Sequence, residues 1–377
     1  MSTARLFVGV QCDRPGDGIE TVLVDVTGRS RTLRSRQRVH RTRPLDAELR
    51  DALRAPPEAA GAPDRVDLDL RLGAAMGEAV NELITEARAA RDSITAVGVG
   101  GVRRAAGGSG AAGGHVDELG LPEAVAQAAG IPAVGRFGAA DIATGGHGGA
   151  PAAWPIWRLL RHERLSRVLL HLGAVASLTF VGSDAAPADV VAYDVGPGPA
   201  AIDALARRAV DLPGDADGAG AARGRPEPAM VHELLTHPYL SQPPPKACTS
   251  EMFATGYLDR LEMVASRHGC RGEDLLATLT EAVAAMLVRA VGALTERPHE
   301  VILAGSGAGN IHLAGRIRDR FSPSSTYTVQ RYGVGLRALS AVCYATLAAA
   351  RIDGIAAHCP AAGGARRAAV LGSVSVP

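Results

Sequence analysis

Three apolar, β-branched runs follow one another at residues 168–172, 177–180 and 190–193, with no helical spacing until residue 202. Connections this short read as hairpins, which pair strands antiparallel. The chain uses a second kind of unit as well. Residues 301–304 run into a glycine turn at 305–309, and the apolar spacing of a helix takes over at 311–321. The N-terminal part shows the same mixture. Residues 6–10 and 21–26 read as a hairpin around a long polar turn, and 94–99 as a buried strand after the helical stretch 72–92. Further helices are expected at 45–54, 121–130, 202–210, 275–297 and 336–351. Residues 103–114, rich in Gly and Ala, read as an exposed loop. Hairpins and strand–helix units together imply an α/β class with mixed sheets. No short-period repeat is present, and 377 residues suggest about two domains.

Several function classes drop out. The formal charge is +1, without the basic excess that a nucleic-acid partner demands. No apolar run approaches the ~20 residues of a membrane span, and the run at 6–10 is too short for a secretory signal. A cytoplasmic chain with no membrane or nucleic-acid partner is expected. Cys12, Cys248, Cys270, Cys343 and Cys359 are scattered, with no C-x-x-C. They read as reduced thiols, not a disulfide frame or zinc site. One basic residue stands apart: Lys246 is the single lysine among 40 Lys+Arg. An ammonium is a compact point charge and a guanidinium a broad fork, so this position is a candidate for one that Arg does not fit.

Some motifs fail on geometry. His232 and His237 resemble a zincin pair, but their i, i+5 spacing turns them about 140° apart on a helix. Gly108, Gly110 and Gly113 spell a dinucleotide fingerprint without a strand before it or a clear helix after it. Lys246 follows Pro245, which excludes a Walker A loop. Ser306 stands one place too early for a nucleophile elbow.

Others can carry chemistry. Asp194 follows a strand and precedes the tight turn Val195-Gly196-Pro197-Gly198. A carboxylate there suits a general base, and the backbone of Gly196 and Gly198 can face a phosphate; an Asx-turn is the plainer reading. Gly305, Ser306, Gly307 and Asn310 lie in a strand–turn–helix unit, where backbone approaches a nucleotide; a simple tight turn is the alternative. Asp13, Asp17 and Gly18 lie in the first polar loop, where acidic groups can hold Mg²⁺ through water, or merely form a solvated turn. Three prolines, Pro243 to Pro245, would present Lys246 from a stiff arm.

Specific segments join these elements: Ala140-Asp141-Ile142-Ala143-Thr144-Gly145-Gly146-His147-Gly148, then 193–198 continuing to Asp203, Asp215-Ala216-Asp217-Gly218, and 237–246. Glu251 with Phe253, 304–310 and Gly364-Ala365-Arg366-Arg367 with Leu371-Gly372 complete the set. In order and spacing they resemble the anhydro-N-acetylmuramic acid kinase family over almost the whole chain. The resemblance implies an actin-like fold of two RNase H-like domains with a cleft between them. One would hold residues 1–135 plus about 345–377, the other 136–344 with the nucleotide-binding turn. It also implies ATP and Mg²⁺. Water would open a 1,6-anhydro sugar, O6 would be phosphorylated, and Asp194 would be the base. Arg136, Asp141, His147, His171, Lys246 and Ser340 would lie near the sugar. No metal site beyond a Mg²⁺ near Asp17 is implied, and a homodimer is a candidate assembly.

The chain departs from the family pattern at several contacts. Residues 11–18 replace a loop that reads like MSGTSLDG and keep only its final Asp-Gly. A His and a Gln are missing from 99–103, Gly138 replaces an arginine, Pro199 an asparagine and Ser340 a glutamate. Three readings stay open: a kinase with an altered acceptor, an ATP-independent enzyme acting on a small cyclic substrate, and a non-catalytic paralogue that binds a ligand or partner. In the last case the helix at 275–297 would be either core or a dimer face.

Overall fold

Apolar residues on both faces of a strand demand cover on both sides, and β1 (Arg5–Gln11) is buried from Phe7 onward. The structure is a computed structural model that describes residues 4–12, 18–55, 64–106 and 115–377. The chain forms two compact units. One takes the described residues up to Leu159 and again Gln330–Pro377; the other takes Leu160–Val329. The divisions therefore fall near 160 and 330, displaced from the expected 136 and 344. Packing explains the shift: Phe137 and Tyr344 stack with ring centroids 5.7 Å apart, and the helix Leu339–Ile352 lies on the first sheet.

In the first unit β1 pairs antiparallel with β2 (Ile19–Thr27), which pairs antiparallel with β3 (Arg34–Arg43). On the other side β1 runs parallel to β4 (Ile94–Gly100). Residues 103–106, expected in an exposed loop, instead lie in β5 (Val102–Ala106), which pairs antiparallel with β6 (His115–Leu119). Buried Val102, Val116 and Leu119 anchor this ribbon; residues 107–114 between the strands lie outside the described residues. β7 (Ala133–Gly135) runs parallel to β4. The helix Arg65–Glu86 covers one face, placing Leu72, Met76, Val80 and Leu83 in one core with Val8 and Val10. Each such fully buried side chain contributes about 1.5–3 kcal/mol.

In the second unit β8 (Arg167–Leu172), β9 (Val175–Val181) and β10 (Val191–Pro197) are the three expected hairpin strands, antiparallel in succession. β11 (Glu300–Ala304) runs parallel to β8 and to β12 (Ser325–Thr328). β13 (Ser373–Ser375) returns to the first sheet, antiparallel to β7. The two sheets read β13-β7-β4-β1-β2-β3 and β10-β9-β8-β11-β12. Apart from β13, each is the order third-second-first-fourth-fifth with only the second strand reversed, so each unit has the RNase H-like topology.

The helix Gly272–Gly292 is long and apolar enough, by length and composition, to cross a membrane. This corrects the expectation that no apolar run reaches that length. Most of the helix is buried inside the second unit, with Leu275, Leu279, Val283 and Leu287 in its core. Its apolarity serves packing on several sides, which is the core reading of this helix. All five cysteines are buried and none forms a disulfide; burial alone pushes the Cys343 thiol up to about 12.

Candidate active site

β8, β10 and β11 point the same way, so their C-terminal ends share one edge of the second sheet. Open α/β sheets bind ligands at such an edge. His171, the segment 194–198 and the turn 305–310 all lie there.

Asp194 sits at a bulge. It pairs with Ser177, and the next paired residue is Gly196 opposite Ala176, which leaves Val195 over. A bulge bends the strand and re-aims its side chains. Asp194 is 3% exposed, and burial of a charge demands hydrogen bonds. Oδ2 accepts one from the Cys248 N–H at 3.0 Å. The main chain is held on both sides as well. The Asp194 N–H donates to the Lys246 carbonyl at 3.3 Å, and the Tyr239 hydroxyl donates to the Asp194 carbonyl at 2.8 Å.

Lys246 is not presented outward from a proline arm. It is buried, and its Nζ donates to the Tyr239 carbonyl at 3.0 Å. The ammonium lies 4.5 Å from the centroid of the Tyr239 ring and 5.6 Å from that of Tyr193. Desolvation holds its pKa below the usual lysine range; Cys248 and Asp194 oppose that shift and Arg289 adds to it.

The glycine turn leaves buried β11 through Gly305, whose φ is +89°; a Cβ there would lie 2.6 Å from the Leu172 carbonyl oxygen. Only glycine meets both demands. Ser306 opens the 3₁₀ turn Ser306–Gly309. A Cβ on Gly307 would reach within 2.2 Å of Pro199, so the turn stacks on the first residue of the helix Pro199–Ala209, whose N-cap is Gly198. At Gly309 a Cβ would meet nothing within 4 Å, and the main chain there borders open space. Asn310, expected at the nucleotide, caps the helix Ile311–Phe321: its Oδ1 accepts from the Leu313 N–H at 2.9 Å, and its Nδ2 donates to the Asp215 carbonyl at 3.4 Å. Buried Asp215 shapes the adjoining loop by accepting from Gly220 and Ala221 N–H groups. Neither it nor Tyr239 was singled out as a site residue, although both fall in segments that carried the family resemblance.

In the first unit Gly18 opens β2 with φ +89°. Asp13, Asp17 and the Mg²⁺ position near Asp17 lie outside the described residues. Arg136 follows β7 as the N-cap of the helix Phe137–Ala143, with Nη2 4.0 Å from the Glu123 carboxylate. Ser340 is the second residue of the helix Leu339–Ile352.

Asp141, expected near the sugar, is used internally. Its Oδ1 bonds to His358 Nε2 and its Oδ2 to the Gly148 N–H, both at 2.7 Å. The Ala369 N–H donates to His358 Nδ1 at 3.2 Å, so the ring hydrogen facing Asp141 is on Nε2. Burial works to raise the Asp141 pKa, but the hydrogen bonds from His358 and Gly148 outweigh it and hold the carboxyl below its usual range. His147 is drawn in too: its N–H donates to the Gly363 carbonyl, and its Nδ1 accepts from the Gly149 N–H, both at 2.9 Å. The segment around 144–149 is thereby stitched to the C-terminal tail.

The family model described as "Anhydro-N-acetylmuramic acid kinase" matches residues 5–377. The anhydro-N-acetylmuramic acid kinase of Salinibacter ruber is 33% identical over 99% of this chain and 96% of its own length. That of Trichormus variabilis is 30% identical over 95% of this chain and 94% of its own. Among solved structures, a ROK family glucokinase from Streptomyces griseus, in complex with glucose and AMPPNP, is similar with a TM-score of 0.37 and 15% identity over 91% of this chain and 98% of that one.

Proposed function

The chain belongs to the anhydro-N-acetylmuramic acid kinase family, and on that premise we propose that it is an ATP-dependent kinase of a small sugar with Asp194 as general base. The observation that carries this reading is the Asp194 carboxylate, oriented at a bulge by the Cys248 N–H on the same sheet edge as the turn 305–309. The open space beside Gly309 suits a nucleotide lying against bare main chain.

For a 1,6-anhydro sugar the steps balance as follows. Asp194 takes a proton from water as the water oxygen bonds to the anomeric carbon. The bond from that carbon to O6 breaks, O6 bonds to the γ-phosphorus, and ADP leaves. Positioning and charge neutralisation dominate such a transfer. Mg²⁺ bound with the phosphates would neutralise their charge; it requires only one or two carboxylates besides.

The test is phosphorylation of 1,6-anhydro-N-acetylmuramic acid with Mg-ATP, followed by product mass. Transfer by the wild type that disappears in Asp194→Asn supports the proposal. Turnover of the cyclic sugar without nucleotide would favour the ATP-independent enzyme. Ligand binding without turnover would favour the non-catalytic paralogue.

A further inference from the structure

One segment makes every hydrogen bond described above for Asp194. Tyr239 donates to its carbonyl, Lys246 accepts from its N–H, and Cys248 donates to its carboxylate. The need for such a clamp follows from the bulge: Val195 interrupts the β9–β10 ladder between Asp194 and Gly196, and the main chain there lacks one regular pairing. The segment needs a brace of its own, because its ends are not held in a strand or long helix. The Lys246 side chain supplies it. Its ammonium closes the segment on itself through the Tyr239 carbonyl and sits against the face of the ring whose hydroxyl reaches Asp194.

We propose that Lys246 is a positioning residue for Asp194, acting through Tyr239 and the main chain of 246–248 and not by touching the sugar. The inference rests on the kinase reading of Asp194. It also accounts for a lysine in a chain that otherwise uses only arginine. The ammonium is small enough to lie between two tyrosine rings and donate to one carbonyl, whereas a guanidinium brings a broad fork with five N–H donors to satisfy in a buried place. The charged and titratable groups around the ammonium are Asp194 and Tyr193 on β10, Arg289 on the helix Gly272–Gly292, and Tyr239 and Cys248 on its own segment. Loss of the Lys246 charge leaves Asp194 with less positive potential nearby.

The full chain would be tested as Lys246→Met, Lys246→Arg and Tyr239→Phe. In Lys246→Met we expect kcat for Mg-ATP-dependent sugar phosphorylation to fall about tenfold or more with KM for ATP little changed. The acid limb of the kcat–pH profile should move to higher pH, because a carboxylate that loses a nearby cation is protonated more easily. Lys246→Arg should fail to rescue kcat, because the broader fork does not fit the same buried place. Tyr239→Phe removes a single hydroxyl and should lower kcat in the same direction. Hydrogen exchange read by mass spectrometry gives a second readout that needs no turnover. Exchange over 190–197 and 239–248 should rise in Lys246→Met while 300–304 keeps wild-type protection. If the wild type phosphorylates no sugar, the kinase reading is lost and exchange alone decides the clamp. Wild-type exchange over 190–197 in Lys246→Met, or a wild-type rate in Lys246→Arg, would overturn the proposal.

Discussion

Asparagine at position 194 would still offer the Cys248 N–H an oxygen but would no longer accept a proton at neutral pH. If Asp194 is the base, kcat should fall by about 10²–10⁴ while the melting temperature stays within a few degrees; steady-state kinetics and calorimetry on the same preparation check both. At Asp141 the sign runs through stability. Its folded-state pKa is depressed, so its contribution is fully present above the unfolded carboxylate value of about 3.9 and is lost as pH falls through the lower folded value. Asp141→Asn sets an NH₂ against one of two donors, His358 or Gly148. We expect it to cost about 1–3 kcal/mol at pH 7, with the gap to wild type closing below about pH 3.9; urea unfolding across pH measures this. Asp194 was legible because position marks it: a carboxylate between a strand and a tight turn. The role of Asp141 was not, since its partner His358 lies 217 residues away and no local pattern connects the two.

At the scale of elements, strands β1 and β4 accept the helix Leu339–Ile352 at close range. A Cβ on Gly98 would lie 2.0 Å from the Tyr344 carbonyl oxygen. Gly98→Ala should therefore force helix and sheet apart and cost about 1–3 kcal/mol or more, read as a lowered thermal midpoint. Element types followed from periodicity, but their ends did not. The helix expected at 72–92 spans Arg65–Glu86; Arg88 turns to φ +50° and Arg91–Ser93 form a 3₁₀ turn leading into β4. Likewise β5 was hidden because glycine- and alanine-rich residues carry little alternation, and pairing with β6 supplies what Val102 alone cannot.

For the molecule as a whole, the proposed activity requires nucleotide binding by the folded chain. A non-hydrolysable ATP analogue with Mg²⁺ at about 100 times its Kd should stabilise the fold by about 2.7 kcal/mol. Asp194→Asn should show the same shift, because a proton acceptor is not needed to hold the nucleotide. Thermal melting with and without the analogue checks this, and no shift in the wild type would remove ATP from the mechanism. The duplicated topology also belongs to this scale. No repeat is visible in the sequence, yet both sheets share one strand order and direction. Strand order depends on where hairpins and crossovers fall, and very different side chains satisfy that pattern.

The α/β class, the hairpin and strand–helix units, the glycine turn at 305–309 and the aspartate before the turn at 195–198 were all legible in the residues, because each is written in spacings of a few positions. That Asn310 caps a helix, that Asp141 bonds to the tail, and that Lys246 is buried against the Tyr239 carbonyl instead of reaching outward came from the fold alone. A side chain's partners in a fold are set by which distant segments the topology brings within hydrogen-bonding range, and neighbours in the chain do not record that.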